Sequence, residues 1–260
     1  MKDIEKRQRE ILITAKEKQL LDEQNLQKWH GKISRNVEIL DRDFDFTRKR
    51  VLDVGSYYGS TLLYWSKGSV GLEVQKECQQ FLSAFNYLTV SVNVEDALRV
   101  GHSFEAVYSN NLIEHLVAPH LFLSRIYSAL EPGGLLALGH PVMPIYPVNH
   151  LWAALGRRGV LAEEHINFFS ALGIEYCLER AGFRVIKQYS KPFDRLGVHR
   201  IAYLNRLLGA FSVHVLTVAR KVEGYQYPKK RAAMFDPSWG ESLRVFRDSV
   251  SDQEAVVSNG

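Results

Sequence analysis

Residues 51–59 read VLDVGSYYG: three apolar residues around Asp53, then two glycines, Gly55 and Gly59, with three residues between them. Such a run reads as a short buried strand that stops at a glycine loop. Glycines at that place let the backbone turn sharply and approach a ligand, and a helix opening over Thr61–Lys67 would offer its free N–H groups. Working outward, SVGLEV (69–74) is a second strand and 75–86 a helix; LTVSVN (88–93) is a third strand and FEAVYSN (104–110) a fourth. A helix over 121–130 is closed by EPGG, and LLALGHP (135–141) is a fifth strand. An irregular stretch precedes an amphipathic helix, ALGIEYCLERAG (171–182), and the strands FRVIKQY (183–189) and SVHVLTVARK (212–221) close the pattern. Seven strands, five of them alternating with helices, predict an open, mostly parallel sheet with helices on both faces. Ligands in such a sheet bind outside the carboxyl ends of the strands, so function belongs in the loops that follow them.

Upstream, residues 1–46 are dense in charge and free of proline. Ile4, Ile11 and Ala15 suggest one apolar stripe, and Trp29, Ile33, Val37 and Leu40 another at helical spacing. One or two helices with a break near Gly31 are expected, serving as a packing arm, a dimer contact or a lid. The chain of 260 residues is 46% hydrophobic and 24% charged, which excludes general disorder and fibrous repeats. Two cysteines give neither a disulfide framework nor a metal cluster and point to a reducing compartment. No stretch approaches the run of about 18 apolar residues that a membrane span requires, so a cytoplasmic protein is expected.

Glu73 stands twenty residues after Asp53, at the end of the second strand. A carboxylate there can accept hydrogen bonds from both hydroxyls of a ribose. The glycine spacing is D-x-G-x-x-x-G, which differs from the G-x-G-x-x-G of dinucleotide enzymes. Here the sequence resembles the class I S-adenosylmethionine-dependent methyltransferases. The resemblance runs through VLDVGSYYG, the acid in VGLEV, VNVED (92–96), FEAVYSNNLIEHL (104–116) and LEPGGLLALGHP (130–141), covering roughly residues 50–190. It is greatest toward the small-molecule and sugar-modifying branch, because EEHINFFSALGIEYCLERAGFRV (163–185) is similar to a segment recurring in methyltransferases found with surface-polysaccharide genes.

The resemblance implies a Rossmann-like α/β domain over residues 47–221, an N-terminal helical cap over 1–46 and a C-terminal tail over 222–260. It places Asp53, Gly55, Ser56 and Gly59 around the methionine end of S-adenosyl-L-methionine, with Tyr57 where many members have a third glycine. Glu73 would hold the ribose, Asn93 would face the adenine amine where an aspartate is usual, and Val94 would offer its N–H to the ring. Asn110 and Leu112 would line the cofactor and the transferred methyl. The implied reaction is O-methylation of a sugar or glycan hydroxyl, with N- or quinol O-methylation as variants. A bulky Tyr57 and an uncharged Asn93 motivate the other class of reading, a non-catalytic scaffold or binding subunit.

A hydroxyl acceptor needs a base, and histidine suits that task near neutral pH. His165 in EEHINFF is the first candidate and His140, directly after the fifth strand, the second. His115 and His150 lie on the same expected face with structural roles. Glu163, Glu164 and His165 lack the i,i+4 histidine pair of a helical zinc site, and no metal is assigned. Residues 187–221 hold seven Lys or Arg against one acid, Asp194, with an insertion at about 190–211. That segment is read as a cap on the substrate pocket, or as a surface for an anionic acceptor or a membrane face. No nucleic-acid module is recognised.

Overall fold

The computed structural model describes residues 2–94, 103–156, 164–191 and 207–225. The tail beyond 225, the centre of the basic insertion (192–206), Glu163 and the acidic pair at 95–96 lie outside the described residues. Seven strands form one sheet: β1 (Val51–Val54), β2 (Val70–Leu72), β3 (Leu88–Val90), β4 (Phe104–Asn110), β5 (Leu130–Pro141), β6 (Phe183–Lys191) and β7 (His214–Lys221). Their order is β3-β2-β1-β4-β5-β7-β6, parallel throughout except for β7, which runs antiparallel to both β5 and β6. This is a Rossmann-like sheet, with the strand order reversing between β1 and β4. The crevice above the carboxyl ends of β1 and β4 is therefore where a ligand is expected.

Strand alternation sorts the side chains into two cores. Val107 of β4 and Leu136 and Leu138 of β5 face α5 (Pro119–Ala129) and α7 (Ala171–Arg180), through Phe122, Ile126, Ile174 and Leu178. Ala106 and Tyr108 of β4, with Leu135 and Ala137 of β5, face the other way. They meet Phe81 and Leu82 of α4 (Lys76–Ser83) and apolar residues of three N-terminal helices: α1 (Lys2–Glu17), α2 (Glu23–His30) and α3 (Arg35–Phe44).

Three helices stand where one or two were expected. α2 stops at Gly31, so Trp29 and the trio Ile33, Val37 and Leu40 do not share one helical face. Asp22 caps α2 by accepting from the Asn25 N–H at 2.8 Å. Val37 and Leu40 are buried, whereas Trp29 and Ile33 remain partly exposed.

The helix expected over 61–67 is absent; the chain makes a single 3-10 turn at Leu62–Tyr64. The cause lies in Asp53. Its Oδ2 accepts from the Thr61 hydroxyl at 2.7 Å and from the Trp65 indole N–H at 3.0 Å. Both ends of the segment are thereby tied to the strand they have just left, and Trp65 is fully buried. A helix that would have covered this part of the sheet is replaced by α1, whose Ile4, Ile11 and Ala15 join the same core. The stretch between β5 and α7 also holds a helix the sequence did not announce, α6 (Tyr146–Ala154), in which the His150 ring hydrogen-bonds the Tyr146 hydroxyl.

Candidate cofactor and acceptor site

A cavity of about 690 Å³ opens at the carboxyl ends of β1, β2 and β4. That volume lies within the range of small-molecule sites. Eight of the residues proposed from sequence line it: Gly55, Ser56, Tyr57, Glu73, Asn93, Val94, Asn110 and Leu112. They come from four separate loops, gathered because parallel strands deliver their following residues to one edge.

Glu73 leaves β2 directly into the loop and is 6% exposed. One carboxylate oxygen accepts from the Tyr57 N–H at 2.7 Å and the other from the Gln75 N–H at 2.8 Å. Each oxygen keeps a further lone pair, so the two backbone donors fix the carboxylate while leaving it able to accept from a diol. Gly55 needs its lack of a side chain, because its φ is +75°. Ser56 is buried, and its Oγ is packed toward Gly71 of β2 without a hydrogen-bond partner within the protein.

Tyr57 also adopts a positive φ, +45°. Its ring turns edge-on to Trp29, 4.6 Å between centroids, and to Tyr58 at 4.8 Å. Tyr57 is thus part of an aromatic wall shared with α2 and forms one side of an open cavity. Trp29, Ser34, Tyr108 and Asn111 line the cavity as well, and the sequence reading missed them as site residues. Trp29 was visible only as an apolar stripe residue; Tyr108 lies within a strand, where nothing local marks a polar tip. The Tyr108 hydroxyl and the Asn110 side-chain oxygen both accept from the Asn36 amide, at 2.9 and 3.2 Å, and Lys191 donates to Asn36 Oδ1 at 2.9 Å. Burial and the nearby Asp53 push the Tyr108 phenol well above its ordinary range, although the Asn36 bond opposes them.

Two proposed cofactor residues are placed otherwise. Asp53 is 1% exposed and absent from the lining; it holds Thr61 and Trp65 instead. Gly59 is also away from the cavity, and a side chain there would meet Leu82 at 2.4 Å and Leu63 at 3.0 Å, so its role is packing. Burial raises the Asp53 carboxyl to about 7, against the two hydrogen bonds that lower it; Glu73 adds a smaller upward push. The folded state therefore holds this proton more tightly than the unfolded chain, and the carboxyl's contribution to stability falls as pH rises from about 4 to about 7. An Asp53→Asn variant should gain on the wild type across that window by on the order of 2 kcal/mol, measured by urea unfolding at pH 5 and pH 8. An equal difference at both pH values would show that Asp53 is ionised throughout.

The second histidine proposed as a base, His140, is displaced by the structure. It is fully buried, its Nδ1 lies 2.8 Å from the Pro141 carbonyl, and its ring packs edge-on to Phe169. Burial lowers it to about 4. It continues the face of Leu136 and Leu138 that meets α5 and α7, and does not line the cavity. His165 is partly exposed, and its ring meets that of His115 at 4.9 Å between centroids. His115 belongs to the turn after β4, between the lining residues Leu112 and Leu116.

Residues 21–188 match the family described as "Methyltransferase domain", and the chain belongs to that family. Its class I fold uses S-adenosylmethionine as methyl donor. Among solved structures, it is similar to a SAM-dependent methyltransferase from Archaeoglobus fulgidus: TM-score 0.52, 18% identity, covering 75% of this chain and 97% of that one. A chain from the Haloferax volcanii complex of the Trm112 methyltransferase activator with a candidate methyltransferase gives TM-score 0.56 and 18% identity, covering 82% and 96%. The [4+2]-cyclase SpnF gives TM-score 0.52 and 16% identity, covering 73% and 81%. These likenesses establish the fold alone. No curated protein sequence matches the chain.

Proposed function

We propose that the protein methylates a hydroxyl of a sugar or glycan, using S-adenosylmethionine, in the cytoplasmic synthesis of a polysaccharide. One observation supports this acceptor above others: among the described residues that line the cavity, every polar one apart from Glu73 is uncharged. Ser34, Ser60, Thr61, Tyr108, Asn110 and Asn111 supply hydroxyls and amides, and Trp29 and Tyr57 supply aromatic faces. A neutral polyol is complementary to such a set, whereas an amine or a carboxylate would be left without a counter-charge.

The cofactor supplies an electrophilic methyl on a sulfonium. Glu73 would hold its ribose, Ser56 and Gly55 its methionine end, and Asn93 and Val94 its adenine. The remaining task of the protein is to hold the acceptor oxygen in line and to exclude water from it. Asn110 and Tyr108, stiffened by Asn36 and Lys191, are placed for the first of these. His165 is the proposed group for the acceptor proton.

The basic stretch 187–221 is a weaker argument for an anionic acceptor or a membrane face. Lys187 pairs with Asp43 at 3.0 Å, Lys191 serves Asn36 and Lys221 donates to the Leu130 carbonyl at 2.6 Å. Three of its seven cations are thus committed within the fold. Among the described residues no helix is long and apolar enough to cross a membrane.

The test is methyl transfer from isotopically labelled cofactor to a panel of sugar nucleotides, oligosaccharides, quinols and amines, with products located by NMR. Labelled methyl ethers on sugars are expected; transfer confined to amines or phenols would overturn the acceptor.

A further inference from the structure

The turn after β4 carries Glu114 and His115, and the segment 164–167 is clipped onto it. Ile166 and Asn167 both donate their N–H to the Glu114 carbonyl at 3.0 Å, and the Asn167 side chain donates to the Leu116 carbonyl. This clip brings His165 to the pair, although it lies fifty positions further along the chain. One carboxylate oxygen and one ring nitrogen from each histidine all fall within 4.8 Å of one another.

Two details set this cluster apart from a chance meeting of polar groups. The Glu114 side chain is 1% exposed, and neither of its oxygens has a hydrogen-bond partner; the nearest cationic candidate is His115 Nε2 at 3.8 Å. A buried carboxylate without donors is costly and calls for a cation. The tautomer of His115 is also set by its surroundings. Its Nδ1 lies 2.9 Å from the Glu164 carbonyl, which can only accept, so Nδ1 carries a hydrogen and Nε2 is the ring nitrogen left on the Glu114 side to take an ion. A ring that donates one N–H to a backbone carbonyl and turns its other nitrogen inward is the usual arrangement of a metal-bound histidine.

We propose that Glu114, His115 and His165 form a binding site for a divalent transition-metal ion. Two imidazoles and one carboxylate favour the first-row ions from manganese to zinc over magnesium or calcium. Ligands about 2.1 Å from a shared ion stand at most about 4.2 Å apart, so side-chain movements of under about 1 Å would close the set. With His115 about a third exposed, positions remain open for water or a ligand oxygen. The ion would also pin the 164–167 segment to the turn after β4. The absence of an i,i+4 histidine pair, which argues against a helical zinc site, does not bear on ligands supplied by a turn and a distant segment.

The site shares His165 with the acceptor reading, in which that ring takes a proton only while no ion holds it, so the site is tested by binding alone. Tag-free, chelator-treated full-length protein is titrated with Co²⁺ by visible absorption and with Zn²⁺ by calorimetry. One ion per chain at micromolar affinity is expected. Glu114→Gln, which keeps size and burial, and His165→Ala should each weaken it at least tenfold, with the circular-dichroism spectrum unchanged. His150→Ala should leave it intact. No saturable binding, or binding that survives both ligand substitutions at wild-type affinity, would overturn the proposal and leave the cluster as a carboxyl–imidazole contact.

Discussion

A Glu73→Ala variant should bind S-adenosylhomocysteine at least 100-fold more weakly than the wild type, a loss of about 2.7 kcal/mol. The carboxylate is held by the N–H groups of Tyr57 and Gln75, one on each oxygen, and aims its remaining lone pairs at the cavity. Removing it loses two hydrogen bonds to a charged acceptor and leaves two backbone donors facing the place where a ribose would lie. Glutamine should do little better. Whichever way its amide is turned, the nitrogen meets one of those two N–H groups, donor against donor. Calorimetric titration of wild type, Glu73→Ala and Glu73→Gln checks this, with circular dichroism to confirm folding. A wild type that binds and a Glu73→Ala variant within threefold of it would remove Glu73 from the cofactor. A folded wild type that binds neither the cofactor nor its product would instead favour the scaffold reading.

Gly59→Ala should lower stability by about 2–4 kcal/mol, which for a body of this size is a drop in Tm of about 5–12 °C. Two costs coincide there. The φ of +69° is unfavourable for any residue with a Cβ. That Cβ would also stand 2.4 Å from Leu82 and 3.0 Å from Leu63, both buried and unable to retreat freely. Gly133 separates the two effects, since it shares the φ of +69° but a side chain there meets nothing within 4 Å. Gly133→Ala should cost only about 1 kcal/mol. Thermal denaturation of both variants decides the matter; equal losses would show that strain alone acts at Gly59.

Local pattern carried the parallel strands well, because each is a short apolar run that ends at a loop residue able to turn. The same pattern led to the loop after β1 and to Glu73, while Asn93 and Asn110 came through the family resemblance; one sheet edge brings these together, and Asp53 stays beneath them. The helix expected after β1 failed for a reason outside the segment: Thr61 and Trp65 bond to Asp53 in preference to continuing a helical turn. Tyr108 and Trp29 were invisible as site residues, since a phenol inside a strand and an indole on an amphipathic helix both read as core. His140 is different, for the signal was present. β5 is an apolar run buried on both faces, and alternation from Leu136 and Leu138 puts position 140 toward α5 and α7, inside one of the two cores. The partnership of Glu114 and His115 with His165 has no such signal, because only the folded chain sets the intervening loop on the turn after β4.

The lack of a helix between β1 and β2 also has a consequence for biosynthesis. The N-terminal helices are made before the sheet they pack on, and the surfaces they cover belong to both early and much later parts of the chain. Their core partners include Tyr189, Leu216 and Val218, and Asp43 in α3 waits for Lys187 and the Tyr189 hydroxyl. Part of the greasy side of these helices can dock once Leu62–Trp65, Phe81 and Leu82 have been made, but this core is closed only when Tyr189, Leu216 and Val218 follow. A chain released before that point would keep some of this apolar surface exposed.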